Sequence, residues 1–196
     1  SRRQSQMCIR DRSTLKFNHF PERIPAASAW VFTSQNAVKN LPKISFSGPV
    51  YASGNQTAKA LMKKGFEAKL GANETALSLA KKITEDGVQS VVFFCGNMRR
   101  NELPEYLAQN NIELTEIVVY QTILSPKSLQ IHKGDALFFM SPSAVESFAM
   151  KNEFHSEINY YSIGETTAEA LKNKGVKKIN IAAEATFEAM LKKYTS

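Results

Sequence analysis

The chain has 196 residues, of which 43% are hydrophobic and 22% charged, a length that allows one large or two small globular domains. No apolar run approaches membrane-spanning length, so we expect a soluble protein with no membrane partner. The 25 Lys and Arg outnumber the 18 Asp and Glu, and the net charge of +7 favours acidic ligands, but the basic residues are not interleaved with aromatics and we expect no nucleic acid partner.

Residues 1–24 show neither a helical nor a strand period and are strongly basic. The segment lacks the apolar core of a secretory signal. We expect it to be irregular and disordered, and we interpret it as non-native sequence. Cys8 and Cys95 lie far apart without metal-ligand spacing, so neither a disulfide nor a metal site is predicted, and a reducing cytoplasm is the expected location.

Strands and helices alternate from residue 29 onwards, which predicts a parallel sheet covered by helices. The predicted strands of the first half are 29–33, 49–53, 68–70, 88–94 and 112–120. Ser34 is the predicted N-cap of a short helix after the first strand, and Asn73 is the predicted N-cap of a helix over 74–86. The polar stretch from residue 121 to residue 135 is the predicted domain boundary.

The second half repeats the first. A β-rich run that ends in Gly54 and is followed by Thr57 and an apolar helical pattern returns at Gly164 and Thr167, with the same spacing within each copy. Such a register, held through strand, turn and helix, indicates an internal repeat. The predicted strands of the second half are 135–140, 159–163 and 179–182, and the predicted helices follow Ser141, follow Gly164 and cover 184–193.

Each repeated turn places the N-terminus of a helix at the edge of the predicted sheet. A strand that feeds a helix through a glycine leaves backbone N–H groups and the positive end of the helix dipole at the edge of the sheet. This arrangement favours a carboxylate or a phosphate. The alternative is a capped turn that binds nothing, and the presence of two copies favours the ligand-binding interpretation.

Several short motifs then occur in a characteristic order. They are residues 30–38, the Gly54-x-x-Thr57-Ala58 turn, Cys95-Gly96-Asn97 with Arg100 and Leu103-Pro104, residues 119–122, Phe139 with residues 141–143, and Ile163-Gly164 with residues 166–168. Together they resemble the uroporphyrinogen-III synthase family from roughly residue 29 to the C-terminus. No single motif is decisive, and the resemblance rests on the ordered set.

The resemblance implies an α/β fold of two similar parallel-sheet domains with helices on both faces, joined by extended linkers, with the active site in a cleft between them. We expect the domains at 25–121 and 122–196. The implied reaction closes linear hydroxymethylbilane to uroporphyrinogen III with loss of water and inversion of the last pyrrole ring, and uses no metal and no organic cofactor. We expect a cytoplasmic monomer that contacts the preceding enzyme of the pathway transiently.

The sequence departs from the family pattern at its start. The family completes the second domain with an N-terminal strand–helix–strand segment, and residues 1–28 are too short and too irregular to supply it in full. We therefore expect that the native N-terminus has been lost or replaced, that the second sheet has an unpaired edge, and that this chain has low stability and poor activity.

The resemblance also assigns candidate residues. Tyr120 would donate a proton or a hydrogen bond to the departing hydroxyl, and the alternative is a tyrosine that only covers the core. Thr57 and Thr167 would bind substrate beside helix N-termini, with helix capping as the alternative. The other candidate substrate-binding residues are Thr33, Ser34, Gly54, Asn97, Arg100, Ser141, Ser143, Gly164 and Thr166. Arg99 is predicted to be a solvated surface charge.

Two other functions remain open at this point. A non-catalytic two-domain protein that binds a small polyanionic ligand would use the same repeated turns without producing the type III isomer. A degenerate regulatory or interaction domain of the same family would show neither binding nor turnover. The fold alone does not separate these alternatives.

Overall fold

The structure, a computed structural model, describes residues 6–9 and 13–195. Its strands are β1 Gln6–Ile9, β2 Ser13–Phe17, β3 Ala29–Phe32, β4 Val50–Ala52, β5 Ala68–Leu70, β6 Ser90–Gly96, β7 Glu113–Leu124, β8 Ala136–Phe139, β9 Asn159–Ser162 and β10 Ile179–Ile181. Its helices are α1 Gln35–Lys39, α2 Asn55–Met62, α3 Ala76–Glu85, α4 Glu102–Gln109, α5 Pro142–Ala149, α6 Glu165–Asn173 and α7 Phe187–Thr195.

The chain divides into two units. The larger unit comprises residues 15–122, and the smaller unit comprises residues 123–195 together with the described residues that precede Leu15. The change from one unit to the other falls between Thr122 and Ile123, inside β7.

The larger unit is built on a six-stranded sheet in the order β2-β7-β6-β3-β4-β5. The pairs from β7 to β5 are parallel. The central strands β3 and β6 are apolar and buried on both faces, as parallel strands between helical layers are. Helices α3 and α4 pack with Val31 and Phe93 on one face, and α1 and α2 pack with Phe32 and Phe94 on the other.

The smaller unit is built on a four-stranded parallel sheet in the order β1-β8-β9-β10. Helices α5 and α6 cover the face that carries Leu137 and Phe139, and α7 covers the face that carries Phe138 and Tyr161. The rings of Phe138 and Tyr161 stack with their centroids 4.8 Å apart. The predicted α/β class, with parallel sheets and helices on both faces, is therefore confirmed.

The prediction of an irregular segment over residues 1–24 is wrong for β1 and β2. β1 pairs with β8 from Gln6↔Ala136 to Ile9↔Phe139, so β8 has a neighbour on each side where an unpaired edge was expected. Strands this short are specified by the strand beside which they lie, and the periodicity of their own sequence does not reveal them. The expectation of disorder for residues 1–5 and 10–12 lies outside the described residues.

The predicted N-cap Asn73 is also wrong. Thr75 is the N-cap of α3, and its side-chain oxygen accepts a hydrogen bond from the Ser78 N–H at 3.1 Å. The Asn73 side-chain oxygen instead accepts from the Thr75 hydroxyl at 3.0 Å. The last helix likewise begins later than predicted, at Phe187, and Thr186 accepts from the Ala189 N–H at 3.1 Å.

Candidate functional site

The parallel strands of the larger unit bring the predicted residues of that unit to one edge of its sheet. Thr33 and Ser34 follow β3, Gly54 follows β4, and Asn97 follows β6. Because the carboxyl ends of parallel strands share an edge, these turns are neighbours, and ligands bind at such edges in open α/β sheets. A direct contact joins two of the turns, since the Ser53 hydroxyl donates to the Thr33 carbonyl oxygen at 3.1 Å.

Ser34 acts as the N-cap of α1. Its hydroxyl oxygen accepts from the Asn36 N–H at 3.1 Å, which satisfies one of the free donors in the first turn. Capping alone therefore accounts for the position of this side chain.

The turn at Gly54 begins α2. Gly54 is extended and is the N-cap residue, and its carbonyl oxygen accepts from the N–H groups of Thr57 at 3.1 Å and Ala58 at 3.0 Å. No side chain of α2 caps this end, so the proposed capping role of Thr57 is not realised. Thr57 is instead buried in the first turn, with 5% of its surface exposed.

Glu74, which is not among the predicted site residues, occupies this helix terminus. The Glu74 carboxylate accepts from the Asn55 N–H at 3.0 Å, and its other oxygen would lie 3.2 Å from a Cβ placed on Gly54. A carboxylate from the β5–α3 loop is thus bound at the positive end of α2. The sequence contains a signal for this position, because Glu74 follows a strand next to β4, but the predicted helix over 74–86 includes the residue, whereas α3 begins at Ala76.

The smaller unit repeats this geometry at α6. The Gly164 carbonyl oxygen accepts from the N–H groups of Thr167 at 3.2 Å and Ala168 at 3.0 Å, and Thr167 is buried, as Thr57 is. Unlike Gly54, Gly164 has no described atom within 4 Å of the position where a Cβ would stand. Thr166 is exposed on the first turn.

Ser141 and Ser143 lie at the start of α5 in the same unit. The Ser141 hydroxyl oxygen accepts from the Ala144 N–H at 3.2 Å and lies 3.0 Å from the Ser143 hydroxyl. Pro142 takes the first helical position, where its missing N–H costs nothing. These hydroxyls stand beside the α5 terminus and follow β8, the neighbour of β9.

Tyr120 lies on β7 beside the end of β6. Its ring is partly buried against the core, with the Phe17 ring centroid 6.4 Å away, and among the described residues its hydroxyl has no hydrogen-bond partner. The position of a Cβ on Gly96 would lie 2.6 Å from Cε2 of this ring. The ring therefore covers Gly96, and both expected roles of Tyr120 are compatible with its position.

Asn97 and the two arginines lie in the loop after β6, the strand that pairs with the strand of Tyr120. The Asn97 side-chain oxygen accepts from the Thr122 N–H at 2.7 Å, and its side-chain nitrogen donates to the Thr122 carbonyl at 3.3 Å. Arg99 is not a solvated charge, because its guanidinium donates twice to the Glu116 carboxylate at 2.8 and 2.7 Å and this hydrogen bonding raises its pKa. Arg100 lies 3.4 Å from Glu102, with 44% of its side chain exposed.

The thiol of Cys95 precedes Gly96 and is buried. Burial, and to a lesser extent the negative charge of Glu116, raise the pKa of this thiol to about 11, and Arg99 acts in the opposite direction. A thiol with this pKa stays protonated at neutral pH and is a poor nucleophile. In the described part of the chain, no three His, Cys, Asp or Glu side chains are arranged to hold a metal ion.

The candidate residues thus form one set in each unit. Seven lie in the larger unit, at or near the carboxyl edge of its sheet: Thr33, Ser34, Gly54, Thr57, Asn97, Arg100 and Tyr120. Five lie at the corresponding edge of the smaller sheet: Ser141, Ser143, Gly164, Thr166 and Thr167. The helices of residues 6–9 and 13–195 include none that is both long and apolar enough to cross a membrane.

Comparison with known structures shows the same fold in other proteins. The fold is similar to the crystal structure of uroporphyrinogen-III synthetase from Helicobacter pylori 26695, with a TM-score of 0.67, 22% sequence identity, and 98% of this chain and 99% of that chain covered. A mutant uroporphyrinogen III synthase from the extremely thermophilic bacterium Thermus thermophilus gives a TM-score of 0.65 at 16% identity, with 93% of this chain and 85% of that chain covered.

The second Thermus thermophilus structure is the wild-type enzyme in another crystal form. It gives a TM-score of 0.53 at 16% identity, with 86% of this chain and 76% of that chain covered. At these identities the structures establish a shared fold. The family is established separately, because the family model described as uroporphyrinogen-III synthase HemD matches residues 6–192. The chain therefore belongs to the uroporphyrinogen-III synthase HemD family.

Proposed function

We propose that this chain converts hydroxymethylbilane to uroporphyrinogen III, a cyclisation in which water is lost and the last pyrrole ring is inverted. Membership of the family over residues 6–192 supports this function. The observation that carries it at the level of residues is the pair of equivalent turns at Gly54 and Gly164. In each, the glycine carbonyl accepts from a Thr and an Ala N–H in the first turn of a helix.

The chemistry of the substrate fits these turns. Hydroxymethylbilane carries acetate and propionate groups along its whole length, and helix N-termini bind carboxylates through free N–H groups and the helix dipole. We infer that the turns at α2, α5 and α6 bind such groups. The carboxylate of Glu74 at the Asn55 N–H supports the inference, because it is a group of the same chemistry bound at the α2 terminus.

Tyr120 is the proposed proton donor. When the C–O bond of the hydroxymethyl group breaks, the oxygen leaves with the electron pair and takes a proton from the phenol, which forms water and a phenolate. The proton that the attacked ring loses after closure restores the phenol. A positioned acid of this kind typically contributes a factor of about 10² to 10⁴ in rate.

We also propose that the reaction needs no metal and no organic cofactor. Leaving-group protonation and orientation of the chain are the two tasks, and the substrate itself supplies the electrons for ring closure. An enzyme that holds the two reacting carbons close together in the correct orientation raises the rate of ring closure strongly. We further propose a cytoplasmic monomer that receives its unstable substrate by transient contact with the preceding enzyme.

The proposed function is tested by the ratio of type III to type I uroporphyrinogen formed from hydroxymethylbilane. Unassisted closure gives the uninverted type I product, so a reaction without protein is the baseline. We expect type III product to dominate when the chain is present. A chain that binds the substrate and leaves the ratio at the baseline would support the binding-protein alternative.

The role of Tyr120 is tested with the Tyr120→Phe variant. We expect kcat for type III formation to fall at least about tenfold with little change in KM, because the hydroxyl acts in the transition state. Tyr106→Phe is the matched control, since this tyrosine lies on α4 and packs against the other core of the same unit. Turnover of Tyr120→Phe at the rate of the control would remove Tyr120 from the chemistry.

A further inference from the structure

We propose that Gly96 and Asn97 form a positioning clamp that fixes the ring and the backbone of Tyr120. The inference rests on the proposed function, because it assigns a task to the residues around the proposed proton donor. It also replaces the expectation that Asn97 binds substrate. Neither residue of the clamp needs to touch the substrate.

The first observation is a shift in the pairing of β6 with β7. Cys95 is paired with Val118, but the next residue, Gly96, is paired with Tyr120, so Val119 is an extra residue on β7. An extra residue of this kind bends the strand and re-aims the side chains that follow it. Here the consequence is that Tyr120 stands directly beside Gly96.

The second observation is the space that Gly96 leaves. A Cβ at residue 96 would lie 2.6 Å from Cε2 and 2.8 Å from the hydroxyl oxygen of Tyr120, and closer still to Cζ. Carbon atoms in contact stand about 3.5 to 4 Å apart, so any other residue at this position would displace the ring. The hydroxyl end of the ring, where the proposed chemistry takes place, is the end that Gly96 accommodates.

The third observation is that Asn97 forms hydrogen bonds with the backbone of β7 on both sides of Gln121. Its backbone N–H donates to the Tyr120 carbonyl at 3.2 Å. Its side-chain amide then exchanges two hydrogen bonds with the backbone of Thr122, at 2.7 and 3.3 Å. With both amide atoms paired in this way, the side chain continues the sheet beyond the end of β6.

Further hydrogen bonds hold the backbone of β7 next to Tyr120 and the loop that carries Asn97. On the far side of β7, the Asn18 N–H donates to the Val119 carbonyl at 2.9 Å, so the residue before Tyr120 is also held. Arg99 binds Glu116 on β7 through two hydrogen bonds at 2.8 and 2.7 Å, and this ties the loop that carries Asn97 to the same strand. Tyr120 is therefore enclosed by β2 on one side and by the β6–α4 loop on the other.

The test uses Gly96→Ala and Asn97→Ala, each alone and combined with Tyr120→Phe. We expect either single change to lower kcat for type III formation roughly tenfold to a hundredfold with KM changed less than about twofold, because a displacement of about 1 Å in a catalytic group has effects of this size. In the Tyr120→Phe background the same changes should cause almost no further loss of kcat, since the hydroxyl that they position is already absent.

Gly48→Ala is the matched control. A Cβ at Gly48 would lie 2.6 Å from Cζ of Phe46 and 2.6 Å from the Ser28 carbonyl oxygen, so it also overlaps with an aromatic ring in the same unit. Gly48 precedes β4, which is separated from β7 by two strands of the sheet. It should lower stability as Gly96→Ala does and leave kcat of the folded protein unchanged. This control separates loss of folded protein from loss of positioning.

A second measurement reports the position of the ring without using activity. The chain contains 6 tyrosines, and replacing them by 3-fluorotyrosine gives each one a resonance in the fluorine NMR spectrum. Single Tyr→Phe variants assign each resonance to its residue. We expect Gly96→Ala and Asn97→Ala to shift the Tyr120 resonance and Gly48→Ala to leave it in place. An unmoved Tyr120 resonance in both clamp variants would overturn the inference.

The outcomes distinguish the inference from the proposed function. If Tyr120→Phe slows turnover but the clamp variants do not, the proton donor stands and the clamp is wrong. If Asn97→Ala raises KM with kcat unchanged, Asn97 binds substrate and the clamp is again wrong. If Tyr120→Phe turns over normally, the proposed catalytic task of Tyr120 fails, and the clamp fails with it as a catalytic device.

Discussion

Asp86 shows how single residues stabilise the larger unit. Its carboxylate accepts from the Tyr51 hydroxyl at 2.8 Å, from Lys69 at 2.8 Å and from Lys82 at 2.7 Å. The hydrogen bond from Lys69 lowers the pKa of Asp86 most, followed by those from Lys82 and Tyr51. Tyr51 is fully buried beneath this group, and burial together with the same hydrogen bond raises its pKa.

Replacing Asp86 by Ala should destabilise the chain by about 1 to 3 kcal/mol at neutral pH, because the buried Tyr51 hydroxyl would lose its partner. The lysines contribute less, since both are exposed. Urea unfolding measures this change. Lys133→Ala is the control, because its partner Glu157 is 55% exposed and a solvated ion pair of this kind should leave the free energy of unfolding almost unchanged.

The same residue sets a pH dependence. A carboxyl whose pKa is lower in the folded state stabilises that state above its unfolded pKa of about 3.9, and the stabilisation is lost as the pH falls further. We therefore expect the free energy of unfolding to decrease below about pH 4, and to decrease less steeply in Asp86→Asn. Parallel curves for the two proteins would show that Asp86 does not contribute.

At the scale of elements, the two repeated turns differ in one respect that bears on the proposed binding of substrate carboxylates. Glu74 brings a negative charge to the N-terminus of α2 and occupies the Asn55 N–H, whereas no described atom stands within 4 Å of the corresponding position on Gly164. A substrate carboxylate that approaches α2 must displace this group or bind beside it. The negative charge of Glu74 would repel a substrate carboxylate at the N-terminus of α2.

Glu74→Gln should therefore lower KM severalfold, because the amide oxygen can still accept from Asn55 while the charge is removed. Glu74→Ala should lower KM at a cost in stability of about 1 kcal/mol, since the helix terminus loses its partner. Initial rates of type III formation measure both. Glu67→Gln, an exposed change of the same charge before β5, should leave KM unaltered; a higher KM in Glu74→Gln would mean that Glu74 assists binding.

β1 is the second element with a testable role. It pairs with β8, whose residues are all buried, and it separates that strand from solvent on one side. Deletion of residues 1–9 should lower the melting temperature and promote aggregation, because an apolar strand would become an edge. Thermal unfolding and light scattering measure the two effects. An unchanged melting temperature would show that β1 contributes little to the smaller unit.

The sequence could predict the elements that follow from local pattern. Alternating strands and helices, and the repeat from Gly54 to Gly164, indicate parallel sheets. Both can be predicted because hydrophobic periodicity and turn residues are local features of the sequence. β1 could not be predicted in this way, since its strand conformation depends on pairing with β8, which lies far away in the sequence. The pairing of Asn97 with Thr122 is hidden for the same reason, because only the shift between β6 and β7 brings them together.

At the scale of the whole molecule, net charge and substrate charge are opposite. The chain carries 25 Lys and Arg against 18 Asp and Glu, a net charge of +7, and hydroxymethylbilane carries acetate and propionate groups along its length. Opposite net charges raise the rate of encounter and the affinity for a polyanion. Part of the binding energy should therefore be long-range and sensitive to ions.

KM for hydroxymethylbilane should rise severalfold between low salt and about 0.5 M NaCl, because the screening length falls from about 10 Å at 0.1 M to about 3 Å at 1 M. The value of kcat should change little, since the proposed hydrogen bonds between helix N-terminal N–H groups and substrate carboxylates act over a short distance and are poorly screened. Type III product must be measured, so that unassisted closure does not enter the rate. Sucrose at equal osmolality is the control. A KM that stays constant while kcat falls would place the effect of salt in the chemical step and would argue against binding by charge.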